Sequence, residues 1–120
     1  MQMRFTVALA AVLFLTGCRS AFIAATIENH SGEPISLIEV DYPSASFGTQ
    51  SLAPGQEFHY RFKVLGSGQT TILWTDAARR DHKDSGPALF EGDEGKLWIT
   101  FAPGAKPAWT LQLQNRATGR

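Results

Sequence analysis

The sequence predicts an all-β domain: an antiparallel β-sandwich of six to eight strands, preceded by a short apolar helix at the amino terminus. Three observations carry this expectation. From Phe22 onward the apolar residues recur with a period of two, and no stretch sustains a helical period. Clusters rich in Gly, Pro, Asn and Asp punctuate the apolar runs. The 120 residues, 43% hydrophobic and 11% aromatic, suffice for one buried core and no more. A small closed barrel has the same strand signature, and strand counting alone does not separate the two.

The strands can be justified in chain order. Phe22 to Asn29 sets Ile23, Ala25 and Ile27 on one face. Ile35 to Tyr42 is apolar on both faces at its start, then alternates with Ile38, Val40 and Tyr42, which implies a central strand or a bulge near Leu37. A short strand is expected around Phe47. Phe58, Tyr60, Phe62 and Val64 alternate with Glu57, His59, Arg61 and Lys63, the cleanest half-buried pattern in the chain. Thr70 to Asp76 puts Ile72 and Trp74 on one face, and a short strand is expected around Asp81 to Ser85. Lys96 to Phe101 supplies Leu97, Ile99 and Phe101; Trp109, Leu111 and Leu113 alternate with Thr110, Gln112 and Gln114. Between these runs lie His30 to Pro34, Ala53-Pro54-Gly55, Gly66-Ser67-Gly68, Gly92 to Gly95 and Pro103-Gly104. Residues 22–120 therefore read as a single domain.

Charge and cysteine content narrow the function classes. Eleven Lys and Arg balance eleven Asp and Glu, which argues against a polybasic nucleic-acid binder. A single cysteine allows neither an intramolecular disulfide framework nor a cysteine-rich zinc module. At the amino terminus Arg4 precedes Phe5 to Leu15, an apolar run broken only by Thr6. That run is too short for the roughly 17–25 residues of a membrane-spanning helix and fits the apolar region of a signal peptide.

Leu15-Thr16-Gly17-Cys18 resembles the lipobox of bacterial lipoproteins. The resemblance implies a signal peptide over residues 1–17, cleavage before Cys18, and diacylglycerol and acyl chains on that residue, followed by a short tether through residue 21. Two or more chains hold a protein stably in a bilayer, at about 0.8 kcal/mol per buried methylene. It further implies a place in the bacterial cell envelope; Arg19, not the aspartate linked to inner-membrane retention, favours the outer membrane. Two further segments, Asn29-x-Ser31-Gly32-x-x-Ile35 and Leu52-x-Pro54-Gly55, resemble immunoglobulin-like modules of bacterial envelope proteins. This second resemblance implies a fold, not an activity.

Catalytic and metal chemistry find little support in the sequence. His30, His59 and His82 lack the close spacing of metal-ligand pairs, and both methionines, Met1 and Met3, would leave with the signal. No metal or cofactor is expected. Asp76 to Asp84 is the densest charged stretch, but Arg79, Arg80 and Lys83 offset Asp76, Asp81 and Asp84, as on a solvated hairpin tip. Neither G-x-S-x-G nor S-x-x-K occurs in the mature chain, and lipidation would consume the only thiol, so no catalytic residue is assigned. Trp98 shares a strand face with Lys96 and Thr100, opposite Leu97, Ile99 and Phe101. Either it packs beneath a loop or second layer, the more usual fate of tryptophan, or it forms a binding surface.

The expectation is a membrane-anchored, non-catalytic binding module with a membrane-proximal protein as partner. The alternative is a metal- or small-ligand carrier using the histidines and the Asp76 to Asp84 stretch. An envelope hydrolase is the third reading.

Overall fold

The computed structural model describes residues 21–114; the signal segment and Cys18 lie outside the described residues. Eight strands follow in chain order: β1 (Ile23–Asn29), β2 (Ile35–Tyr42), β3 (Ala45–Leu52), β4 (Glu57–Phe62), β5 (Gly68–Thr75), β6 (Asp81–Leu89), β7 (Gly95–Phe101) and β8 (Ala108–Leu113). They form two four-stranded sheets, ordered β4-β1-β7-β8 and β3-β2-β5-β6. No helix among the described residues is long and apolar enough to cross a membrane.

The period-two pattern becomes the sandwich core. β1 and β7 each bury every second residue: Ile23, Ala25, Ile27 and Asn29 on one, Gly95, Leu97, Ile99 and Phe101 on the other. The opposite sheet contributes Ile35, Ile38, Val40, Ile72 and Leu89. Burial of a full aliphatic side chain contributes about 1.5–3 kcal/mol, so these two central strands and their facing residues supply most of the hydrophobic stabilisation.

The bulge expected near Leu37 is present. Pairing of β2 with β5 shifts register between Ser36 and Glu39, and Leu37 takes a φ of +50° with its side chain 58% exposed. The extra residue turns Leu37 out and restores Ile38 and Val40 to the core. On the partner strand, Gly48 faces this irregularity. A Cβ there would run into the backbone carbonyl of Ile38.

Two expectations change. Five of the six strand pairings are antiparallel, but β1 and β7 are parallel neighbours. No hairpin joins them; the chain crosses to the other sheet and back between them, so both run in one direction. Nor is β4 the cleanest half-buried strand: Tyr60 is 42% exposed. It lies in the outer strand of its sheet, where its ring stacks on Phe47 (4.7 Å, 15°) across the open edge of the sandwich. In topology, β1, β2, β4, β5 and β6 occupy the places of strands B, C, E, F and G of an immunoglobulin domain, with β3 beside β2. The β7–β8 hairpin then occupies the flank that strand A would take, in the opposite direction.

Strand direction alternates, giving the body two ends. At the entry end, where β1 begins, lie residues 43–44, 63–67 and 90–94. At the far end lie residues 30–34, 53–56, 76–80 and 102–107.

The far end is organised around Asn29, which is fully buried. Its Nδ2 donates to the carbonyls of Glu33 (2.8 Å) and Leu52 (2.9 Å), and its Oδ1 accepts from the amide (3.0 Å) and hydroxyl (2.7 Å) of Ser31. Its backbone carbonyl accepts from Gly55 (2.7 Å), which at a φ of +81° makes the turn that brings this amide round. Asn29-x-Ser31-Gly32 and Leu52-x-Pro54-Gly55, far apart in sequence, are thus one hydrogen-bonded unit.

Asn29→Ala should cost about 2–4 kcal/mol in chemical denaturation, because it strands the Leu52 carbonyl and the Ser31 amide. Asn29→Asp should also destabilise, since a carboxylate cannot donate to the two carbonyls. A loss below 1 kcal/mol for both variants would contradict this role. Gly48→Ala should lower stability by about 1–3 kcal/mol in the same assay, through the clash at Ile38.

Candidate functional site

At the far end, the β1–β2, β5–β6 and β7–β8 connections surround an open cleft of about 680 Å³. Its walls include Trp74, Phe101 and Pro34, with Asp76, His82 and Lys106 among the polar groups. The site begins with strand register. β5 and β6 pair so that Trp74 lies directly opposite His82, and Thr75 opposite Asp81. The Trp74 and His82 rings stack at 5.0 Å and 16°, and Trp74 meets Phe101 edge-on at 5.3 Å and 68°. An aromatic row therefore runs from the solvated hairpin to the end of the central strand β7.

Asp76 makes the turn of that hairpin. Its Oδ1 accepts from the amides of Ala78 and Arg80, both at 2.9 Å, while Arg79 adopts a φ of +68°. Its Oδ2 accepts from Nε2–H of His82 at 2.7 Å. The His82 hydrogen bond, followed by the Arg80 amide, holds the Asp76 carboxyl below its ordinary range, against an opposing effect of desolvation. With Nε2 engaged by the carboxylate, Nδ1 is the ring nitrogen left to meet a ligand.

A histidine oriented by a carboxylate is one part of a catalytic constellation, and the other part is a nucleophile. Ser31 lines the same cleft, but its hydroxyl donates to Asn29 Oδ1 (2.7 Å) and to the Glu33 carbonyl (3.0 Å). The cleft presents the Trp74 ring for stacking and Asp76, His82 and Lys106 for hydrogen bonding.

The three histidines are dispersed. His30 stands 3.5 Å from Glu28 at the far end, His82 lies in the cleft, and His59 sits on the outer face of the β4-β1-β7-β8 sheet. There His59 bonds to Glu57 (3.1 Å) and to the Thr26 hydroxyl (3.1 Å). No group of three His, Cys, Asp or Glu that could hold a metal ion occurs among the described residues.

Trp98 occupies the centre of that outer face, half-buried, with Thr26 and Thr110 as its cross-strand neighbours. Thr100 bonds to Glu28 (3.1 Å) nearby, and Arg61 covers the Phe22 ring at 4.3 Å. Trp98 thus faces away from the second sheet, on a polar surface of its own. Cys18 lies outside the described residues.

The sequence singled out Asp76 to Asp84 as a solvated hairpin tip. The structure keeps it a hairpin but stacks His82 on Trp74 and ties Asp76 to His82. The pairing was missed because Asp76 and His82 meet only through the hairpin's register, and no spacing rule encodes that. Trp74 and Phe101 were read as core residues, and both also line the cleft.

No family model matches this chain, and no curated protein does. Among solved structures, the chain is similar to a protein from Eubacterium rectale determined by NMR, at 9% identity and a TM-score of 0.56, over 82% of this chain and 98% of that one. At that identity the likeness concerns the fold.

Because the Asp76 pKa is depressed in the folded hairpin, its contribution to stability is present above the ordinary carboxylate range. It is lost as pH falls through that range and below. His82→Ala should raise the Asp76 pKa towards its ordinary value of 3.8, as followed by carboxyl-carbon NMR. An unchanged titration would contradict control by His82.

Proposed function

We propose that this protein is a lipid-anchored lipoprotein of the bacterial cell envelope, and that its sandwich is a non-catalytic binding module. The observation that carries the reading is polarity. The chain enters β1 at one end of the sandwich, and the cleft opens at the other. Leu15-Thr16-Gly17-Cys18 supports the anchor. Arg19, Ser20 and Ala21 reach on the order of 10 Å when extended. A strand of seven residues adds roughly 23 Å at about 3.3 Å per residue. The domain would therefore stand close to the membrane with its cleft turned outward, towards a membrane-proximal protein or a small molecule.

Binding is favoured over catalysis by the cleft itself. Its volume lies in the range of about 300–1,000 Å³ typical of ligand sites. It offers the Trp74 ring for stacking, Asp76 and Lys106 as opposite charges, and Nδ1 of His82 for a directed hydrogen bond. A second reading, a carrier of small organic ligands, draws on the same cleft. The metal-carrier version loses support because the histidines stand apart.

Cys18→Ala should abolish fatty-acyl labelling and move the protein out of the membrane fraction. Retained label and retained pelleting would overturn the anchor. For the module, a photocrosslinking residue replacing Ala105, at the cleft rim, should give a discrete adduct in intact cells that Trp74→Ala diminishes. An adduct indifferent to Trp74 would place recognition elsewhere.

A further inference from the structure

Four large hydrophobic side chains are markedly exposed among the described residues: Leu37, Tyr60, Leu65 and Phe90. Leu37 is turned out by its bulge, and Tyr60 closes the sandwich edge against Phe47. The other two are Leu65, 57% exposed, and Phe90, 42% exposed. Singly, an exposed leucine or phenylalanine calls for no explanation. These two, however, lie on neighbouring loops at the same end.

Hydrogen bonds hold the two loops together. Gly92 N donates to the Val64 carbonyl (3.1 Å), Gly66 N to Glu91 Oε1 (3.2 Å), and Glu91 N to Ser67 Oγ (3.1 Å). Leu65 N donates to Ser44 Oγ (3.2 Å), bringing in the β2–β3 turn. Two acidic groups of this end bond to backbone: the exposed Glu91 accepts from Gly66 N, and the buried Asp93 accepts from Phe90 N (2.9 Å). The apolar side chains are left facing out, with exposed Lys63 beside them. This is also the end where the chain enters the body, since the Phe22 carbonyl accepts from Gly95 N (3.1 Å).

We infer that the entry end is a membrane-docking surface, with Leu65 and Phe90 inserted into the lipid headgroup region. The inference rests on the proposed lipid anchor, which holds this end within about 10 Å of the bilayer. At that distance the exposed Leu65 and Phe90, on two hydrogen-bonded loops, come within reach of the lipid surface. Insertion would be shallow, roughly 5–10 Å into the boundary between headgroups and acyl chains. Lys63 would lay its stem along the apolar surface and its ammonium on lipid phosphate. Docking at two loops, together with the acyl chains, would fix the direction of the body as well as its position.

The test uses the full lipidated protein in vesicles of phosphatidylethanolamine and phosphatidylglycerol carrying a nitroxide on the acyl chain. Acylation occupies Cys18, so Leu65→Cys, Phe90→Cys and Ala77→Cys each offer one thiol for an environment-sensitive dye. Tryptophan emission verifies that each labelled variant is folded, and mass spectrometry verifies the lipid. The expected result is quenching and a blue shift at positions 65 and 90, with neither at 77. Lipid on the protein with all three positions unquenched would overturn docking and leave the anchor standing. Absence of both lipid and quenching would overturn the two together.

Discussion

One buried carboxamide ties the architecture together. Asn29 sits at the end of β1 with no exposure to solvent, and its four side-chain hydrogen bonds reach Ser31, Glu33 and Leu52. Leu52 belongs to the opposite sheet, so the bond to its carbonyl spans the two layers where hydrophobic contact alone would leave their ends free to splay. A buried amide with every donor and acceptor engaged is costly to misplace, and this gives the far end one geometry. The next residue continues the effect, since His30 N donates to the carbonyl of Phe101 (2.8 Å), the residue against which Trp74 packs. The cleft thus inherits its shape from a residue that does not line it.

The same principle explains the division of labour between the ends. At the far end, polar groups are spent on backbone: Asn29 on its turn, Asp76 on the β5–β6 hairpin. What remains at the surface is an aromatic row with a few uncommitted polar atoms, suited to recognition. At the entry end, Glu91 and Asp93 perform the corresponding task, and Leu65 and Phe90 are exposed there beside Lys63. In the proposed arrangement those two residues of surface chemistry match their surroundings, one facing water and partners, the other lipid.

Much of the fold was legible in the sequence because its strands bury alternate residues. Ile23, Ala25 and Ile27, and Leu97, Ile99 and Phe101, announce their strands; Leu37 announces its bulge by breaking the alternation. Other features were not legible. The parallel pairing of β1 with β7 depends on a crossover that leaves no mark on either strand. Tyr60 keeps the alternation of a buried residue, and only its position in an outer strand exposes it. The Asp76–His82 pair arises from hairpin register, which periodicity does not specify. The Asn29 and Leu52 turns were visible as separate segments, but their mutual hydrogen bonds were not. Trp98 was placed on the correct strand face by its phase alone, while its environment required knowledge of which face the second sheet covers.

The central claim is that the molecule is polar, with its chain entry towards the bilayer and its cleft away from it. Amide-resolved relaxation by a water-soluble paramagnetic agent, applied to the lipidated protein in nanodiscs, measures this directly. The account predicts shielding of residues 43–44, 63–67 and 90–94 and free access at 30–34, 76–80 and 102–107. Uniform access at both ends, or shielding at the cleft instead, would contradict it.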